Sequence, residues 1–245
     1  MFEQTNNRGF FAAQQGTQDA TVVKSFMTQV FGWMALAMVI TAITAFMFAG
    51  NESLMRSLIN TETGGMTGLG WVVTFAPIGF VLLMSFGFQR LSPATLTLLF
   101  VAFSVLMGMS LSFILLIYTS ASVYKTFAIA AGMFGIMAVM GYTTKTDLTK
   151  FGSIMMMGVI GIMIAMVVNF FLQSPMMDYV ISLIGVLVFT GLTAYDVQRL
   201  KRIGAGAGEH GADNSRKLSI LGALTLYLDF INLFLFLLRF LGDRK

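Results

Sequence analysis

Residues 226–242 read LYLDFINLFLFLLRFLG, a run of Leu, Ile and Phe broken by Asp229 and, three residues on, by Asn232. Such a run is read as part of a membrane-crossing helix, which needs about 20 apolar residues. An acid in its middle costs about 2.5–3.5 kcal/mol on the insertion scale if it reaches the membrane centre. The sixteen Leu, Ile and Phe residues between 218 and 241 offset that cost, supplying roughly 5–10 kcal/mol as an upper bound. The span therefore tolerates Asp229, but tolerance gives no reason for its presence. A carboxyl group inside a membrane faces a protein interior or a watery path, and has a partner.

The rest of the chain agrees with a membrane setting. Of 245 residues 57% are hydrophobic and only 11% are charged, and the mean hydropathy is +0.83. Soluble domains carry about 25% charge. The composition predicts an all-α integral membrane protein with seven spans, at about 26–48, 69–88, 95–118, 124–142, 152–173, 178–199 and 218–241. A polar N-terminal tail (1–25) precedes this seven-span domain (26–242), and a short tail (243–245) follows it. The tail shows no cleaved signal peptide. Ser92-Pro93 and Ser174-Pro175 mark helix starts. The weakest boundary is TSASVYK (119–125). Pro77 lies inside the second span, where it is expected to kink the helix. Gly132/Gly135 and Gly158/Gly161 read as close-packing positions.

Several chemistries are excluded. With no cysteine there is no disulfide, thiolate site or cysteine nucleophile, and a single His, His210, rules out a multi-His metal centre. No nucleophile–base pair, phosphate loop or nucleic-acid motif is legible, so the expectation is a non-enzyme without a resident cofactor. Lys and Arg set the orientation. With the N-terminus inside, Arg8, Lys24, Arg90, Lys145, Lys150, Arg199, Lys201, Arg202, Arg216 and Lys217 face the cytoplasm. Arg56, Lys125, Arg239, Arg244 and Lys245 face away, giving 10 against 5 of the 15. The basic C-terminal tail is the dissenting feature.

Of the eleven acids, only Asp196 and Asp229 fall well within spans; Asp178 starts one. Gly222, Thr225, Asp229 and Asn232 form one small-and-polar stripe on the last span, and Thr190, Thr193 and Asp196 another on the span before it. If the two acids face each other in a low dielectric, they cannot both ionise cheaply, and the pair shares a proton and titrates as a unit. Protonated, it ties two helices. Deprotonated, it repels itself and offers oxygen ligands to a hard cation such as Ca²⁺. The blander reading pairs Asp196 with Arg199 one turn away. Depth opposes the meeting: Asp196 lies about 5 Å of helix rise from Arg199, and Asp229 about 18 Å from Lys217. They meet if the sixth span extends inward or the seventh begins outside the membrane core. Arg90 is a candidate cationic latch, against an ordinary interfacial role. Gln29 and Asn169 read as neutral bridges between helices.

GLTAYDVQRLK (191–201) and LGALTLYLDFINLFLFLLRFLG (221–242) together resemble the signature of the Bax inhibitor-1 (transmembrane Bax inhibitor motif) family, in its bacterial YccA-like branch. The first stretch carries the family's Tyr-Asp-x-Gln element as Tyr195, Asp196 and Gln198. The resemblance implies two three-helix layers around a central C-terminal helix, in a bacterial inner membrane with a cytoplasmic N-terminus. It implies a pH-sensitive passive Ca²⁺ leak whose sensor maps onto Asp196 and Asp229, with Arg90 as latch to the sixth-span aspartate. Some bacterial members carry an acid within the second span, and this chain has none between Trp71 and Gln89. The alternative is an interaction protein. YccA-like members are associated with modulating a membrane-anchored ATP-dependent protease, and eukaryotic ones with suppressing cell death, a stress response. The polar tail with Phe2, Phe10 and Phe11 is then the handle for the partner.

Overall fold

A computed structural model describes residues 3–60, 64–206 and 211–245, with side chains from Ala20 onward. His210 and Phe2 lie outside the described residues, as do the side chains of Phe10 and Phe11. The helices are α1 (Glu3–Gly50), α2 (Glu52–Leu58), α3 (Gly68–Gly87), α4 (Pro93–Ile117), α5 (Ser120–Thr143), α6 (Thr149–Leu172), α7 (Pro175–Gly206) and α8 (Gly211–Leu241). All but the short α2 are long and apolar enough to cross a membrane. Among the described residues there is no strand, only isolated bridges at Ile59–Met66 and Tyr118–Arg244.

Local chemistry explains the breaks. Asn51 caps α2, with its Oδ1 accepting from the Ser53 and Leu54 N–H groups at 3.0 and 3.3 Å. Thr67, Ser92 and Thr119 cap α3, α4 and α5 through their hydroxyls. Pro93 occupies the first turn of α4, where its missing N–H is harmless. The helix α3 runs on through Pro77, which is buried. At the end of α6 Gln173 takes a left-handed conformation (φ 49°) and closes the turn through its N–H to Asn169 O at 2.7 Å.

Packing divides the spans into two layers. One is α1, α3 and α4; the other is α5, α6 and α7, held together by α7. Between them stands α8, which packs against α7, α1, α5, α4 and α3. Its apolar window is 72% buried inside the protein, whereas that of α6 is 6% buried and faces lipid. The acid-bearing run 226–242 thus lies at the centre of the molecule. Phe100, Phe103, Tyr227, Phe230 and Leu233 fill the core around it.

The glycines that permit close packing differ from those singled out by spacing. Gly132, Gly135 and Gly161 face open space, and of the four only Gly158 approaches a neighbour, Val188. The close approaches are at Gly141, set against the Ala194 backbone, at Gly152 under the Tyr195 ring, and at Gly185 under the Phe236 ring. Spacing shows that two glycines share a face, not which way that face points.

The weak boundary between the third and fourth spans is real, and the C-terminal tail secures it. Thr119 N–H donates to Asp243 O at 3.1 Å and Lys245 N–H to Ile117 O at 2.8 Å. Ser122 Oγ accepts from the Asp243 N–H at 3.0 Å, and Lys245 Nζ reaches Leu115 O at 2.8 Å. Backbone groups at the helix ends that would lack partners in the membrane are satisfied in this way. The basic tail therefore lies at the α4–α5 end, opposite the α3–α4 turn.

Candidate functional site

The helices α7 and α8 pack antiparallel, in one register that can be followed along their length. Gly185 takes the Phe236 ring, Phe189 stacks on the same ring at 5.7 Å, and Gly222 accepts Leu200. In that register Asp196 and Asp229 face each other. Both are buried, at 4% and 5% exposure, and their side chains lie within hydrogen-bonding reach of one another. The two acids come level because α8 begins at Gly211, about two turns before its expected boundary, and in this register its first turn projects past the end of α7 at Gly206.

The surroundings of the pair are unequal. Oδ2 of Asp229 is buried and meets no donor among the described residues. A carboxylate oxygen stranded in this way is costly unless the carboxyl pair itself carries a proton. Asp196 has a cation, Arg199, whose Nη1 sits 3.8 Å from Oδ1. That guanidinium is 58% exposed, so solvent weakens the attraction. Asp196 also lines a cavity of about 260 Å³ with Ser85, Arg199, Gly222 and Thr225, whereas Asp229 does not reach it.

The cation beside Asp196 is not the candidate latch. Arg90 is exposed and makes no ion pair with Asp196; Arg199, on the same helix as the acid, is the cation in reach. A residue one turn away is placed by the helix itself, whereas Arg90 would have to fold back from the turn after α3. Of the two polar stripes, the acids meet across the interface, while the neighbouring hydroxyl and amide groups stay within their helices. Thr193 donates to Phe189 O at 2.8 Å, Thr225 to Leu221 O at 3.1 Å and Asn232 to Leu228 O at 2.9 Å, each within its own helix. Tyr195 packs its ring on Gly152 of α6. Asn169 Oδ1 accepts from the Ser174 N–H at 3.1 Å, joining α6 to α7, while Gln29 is exposed. No group of three or more metal-binding acids or histidines exists among the described residues. Two carboxyls fall short of the 6–8 oxygens of a Ca²⁺ binding cage.

Other polar groups make contacts that the sequence does not specify, including Gln198 of the Tyr-Asp-x-Gln element. Gln198 clamps the α5–α6 turn, with Nε2 donating to Thr146 O at 2.7 Å and Oε1 accepting from the Leu148 N–H at 2.8 Å. Lys201 Nζ donates to Tyr142 O at 2.7 Å and lies 4.8 Å from that ring's centre. In the same turn the Asp147 carboxyl is held below the usual carboxylate range. The Thr149 hydroxyl is the largest cause, followed by the Thr149 N–H, with Arg202 adding its charge at 3.1 Å. Deeper, the fully buried Tyr227 phenol meets Thr41 Oγ1 at 2.8 Å, and Thr41 donates onward to Ser104 O at 2.9 Å.

Fold and site together define a class: seven spans, six of them around a buried central one, with a carboxyl pair between the last two. The family described as "Inhibitor of apoptosis-promoting Bax1" matches residues 23–245. The chain belongs to this Bax inhibitor-1 family. It is 45% identical over 223 residues to the Inner membrane protein YbhL of Escherichia coli (strain K12), covering 91% of this chain and 93% of that protein. A relative from Rickettsia prowazekii (strain Madrid E) is 43% identical over 91% of each chain. One from Borreliella burgdorferi is 39% identical over 94% of this chain and 97% of its own.

Proposed function

We propose that the protein is a passive cation leak, with Ca²⁺ as the permeant ion, gated by the protonation state of the Asp196–Asp229 pair, and not an enzyme. The observation that carries this reading is the meeting of two buried carboxyls from separate spans, one of them with an oxygen that no donor reaches. With a shared proton the pair is a hydrogen bond that ties α7 to α8. Without it, two negative charges repel across a low-dielectric interface, the helices separate, and the freed oxygens attract a hard cation. Leak therefore increases as pH rises and the pair loses its proton. Arg199, rather than Arg90, stabilises the ionised Asp196. The setting is a bacterial inner membrane with the N-terminus cytoplasmic, supported by the printed name of the Escherichia coli relative and by the distribution of Lys and Arg. The test is Ca²⁺ flux into proteoliposomes across pH. Asp196→Asn/Asp229→Asn should flatten the pH profile, and an unchanged profile would defeat the reading.

A second reading has one supporting observation: α1 starts at Glu3, so the polar N-terminal segment continues the first span as helix. Such an extension suits an arm that engages a membrane-anchored ATP-dependent protease or another stress-response partner. Removing residues 1–20 should then abolish control of the partner while Ca²⁺ flux persists. Loss of flux with the segment would join the two roles.

A further inference from the structure

Two neighbouring cavities open along the seam between α1 and α5, away from the carboxyl pair. These helices make no substantial contact with each other; both lean on α7 and α8. The first cavity, about 630 Å³, is lined by Lys24, Met27, Phe31, Ala138, Val139 and Tyr142. The second, about 310 Å³, is lined by Lys145, Asp147, Lys201 and Arg202, together with Val23 and Thr144. The linings adjoin at Val23 and Lys24 on α1, and at Tyr142 and Thr144 around the end of α5.

The seam thus changes character along its length. It is apolar among Met27, Phe31, Ala138 and Val139, aromatic at Tyr142, and cationic at its end. There Lys24, Lys145, Lys201 and Arg202 stand against the single acid Asp147. Arg202 is engaged by that acid at 3.1 Å. Lys201 is fixed to the Tyr142 carbonyl, which leaves its charge uncompensated. Lys24 and Lys145 are exposed and make no ion pair among the described residues. An apolar slot that ends in unbalanced cations, with an aromatic ring at the boundary, complements a molecule with an acyl chain and an anionic head.

We propose that the α1–α5 seam is a binding site for one anionic phospholipid, its phosphate held by Lys24 and Lys145 and an acyl chain lying between Phe31 and Val139. Lys201, anchored on Tyr142, sets the position of the third charge, and Asp147 keeps Arg202 out of the headgroup site.

The test uses the full chain with Trp33 and Trp71 replaced by Phe and a reporter introduced by Val139→Trp. It is reconstituted in phosphatidylcholine vesicles containing rising fractions of dibrominated phosphatidylglycerol or dibrominated phosphatidylcholine, both of which quench tryptophan on contact. Half-quenching should need roughly five- to thirtyfold less of the phosphatidylglycerol, the range expected when one or two lysines act near a membrane surface. Lys24→Gln/Lys145→Gln should bring this preference close to one, and Lys24→Arg/Lys145→Arg should retain it. Salt at 1 M, where the Debye length falls to about 3 Å, should remove it from the reporter chain that keeps both lysines, so the result does not depend on how the lysine variants fold. A reporter at Met157, exposed on α6, should show no preference. Equal quenching by both lipids at the seam, a preference that survives the Gln pair, or the same preference at Met157 would each overturn the site.

Discussion

Asp196 and Asp229 show what a single side chain can reveal. A carboxyl inside an oily run has few explanations in a membrane, so both acids are legible from sequence. Their partner is less so. Arg90 and Arg199 look equally eligible in the letters, and only the helix geometry places Arg199 within 3.8 Å. Tyr227 was not legible at all, because a tyrosine in an apolar span reads equally well as an interfacial anchor. Its hydrogen bonding has a direction. Thr41 spends its proton on Ser104 O, so the phenol must donate to Thr41 Oγ1. Tyr227→Phe leaves the Thr41 bond intact and should cost about 1 kcal/mol. Thr41→Val strands a buried phenol, while Ser104 O keeps its helical bond, and should cost about 1–3 kcal/mol more. Thermal unfolding in detergent would rank the two, and equal losses would refute the assigned direction.

Among elements, the seven spans follow from apolar length, but the faces they present do not. The hydrophobic pattern is almost continuous around each helix, so the glycine pairs could not be assigned to lipid or to protein. The structure separates them, and two substitutions test the separation. Gly141→Val forces a side chain into the Ala194 backbone, which has no flexible end to move aside. It should destabilise by about 1–3 kcal/mol or more. Gly161→Ala, in open space, should be neutral or stabilise by up to about 1 kcal/mol through helix propensity. The α5–α6 turn gives a pH-dependent prediction. The Asp147 carboxyl is held below its ordinary value by Thr149 and Arg202, so its contribution is present above the ordinary carboxylate range and is lost as pH falls through the depressed value. Asp147→Asn should therefore melt slightly below the parent at pH 7, and the gap should close in strong acid. A gap that widened on acidification would contradict the assignment.

Across the whole molecule, apolar length marks the spans but not their depth in the bundle. Both α6 and α8 are apolar enough to cross a membrane, yet α8 is the axle and α6 faces the bilayer. That arrangement explains how an acid resides in residues 226–242, since its neighbours are protein. The C-terminal tail completes the design by closing the α4–α5 break. Three residues of sequence could not announce that role, because it depends on where seven crossings leave the chain end. Deleting residues 243–245 should lower thermal stability and increase proteolysis around Tyr118. The central claim is that contact between α7 and α8 at the acid pair holds the leak shut. The chain has no cysteine, so Asp196→Cys/Asp229→Cys with a short, reducible thiol cross-linker tests it without background. Ca²⁺ flux into proteoliposomes should be pH-independent in the reduced variant, fall to the empty-vesicle level on cross-linking, and return on reduction. Failure of the two positions to cross-link, or flux indifferent to the link, would contradict the account.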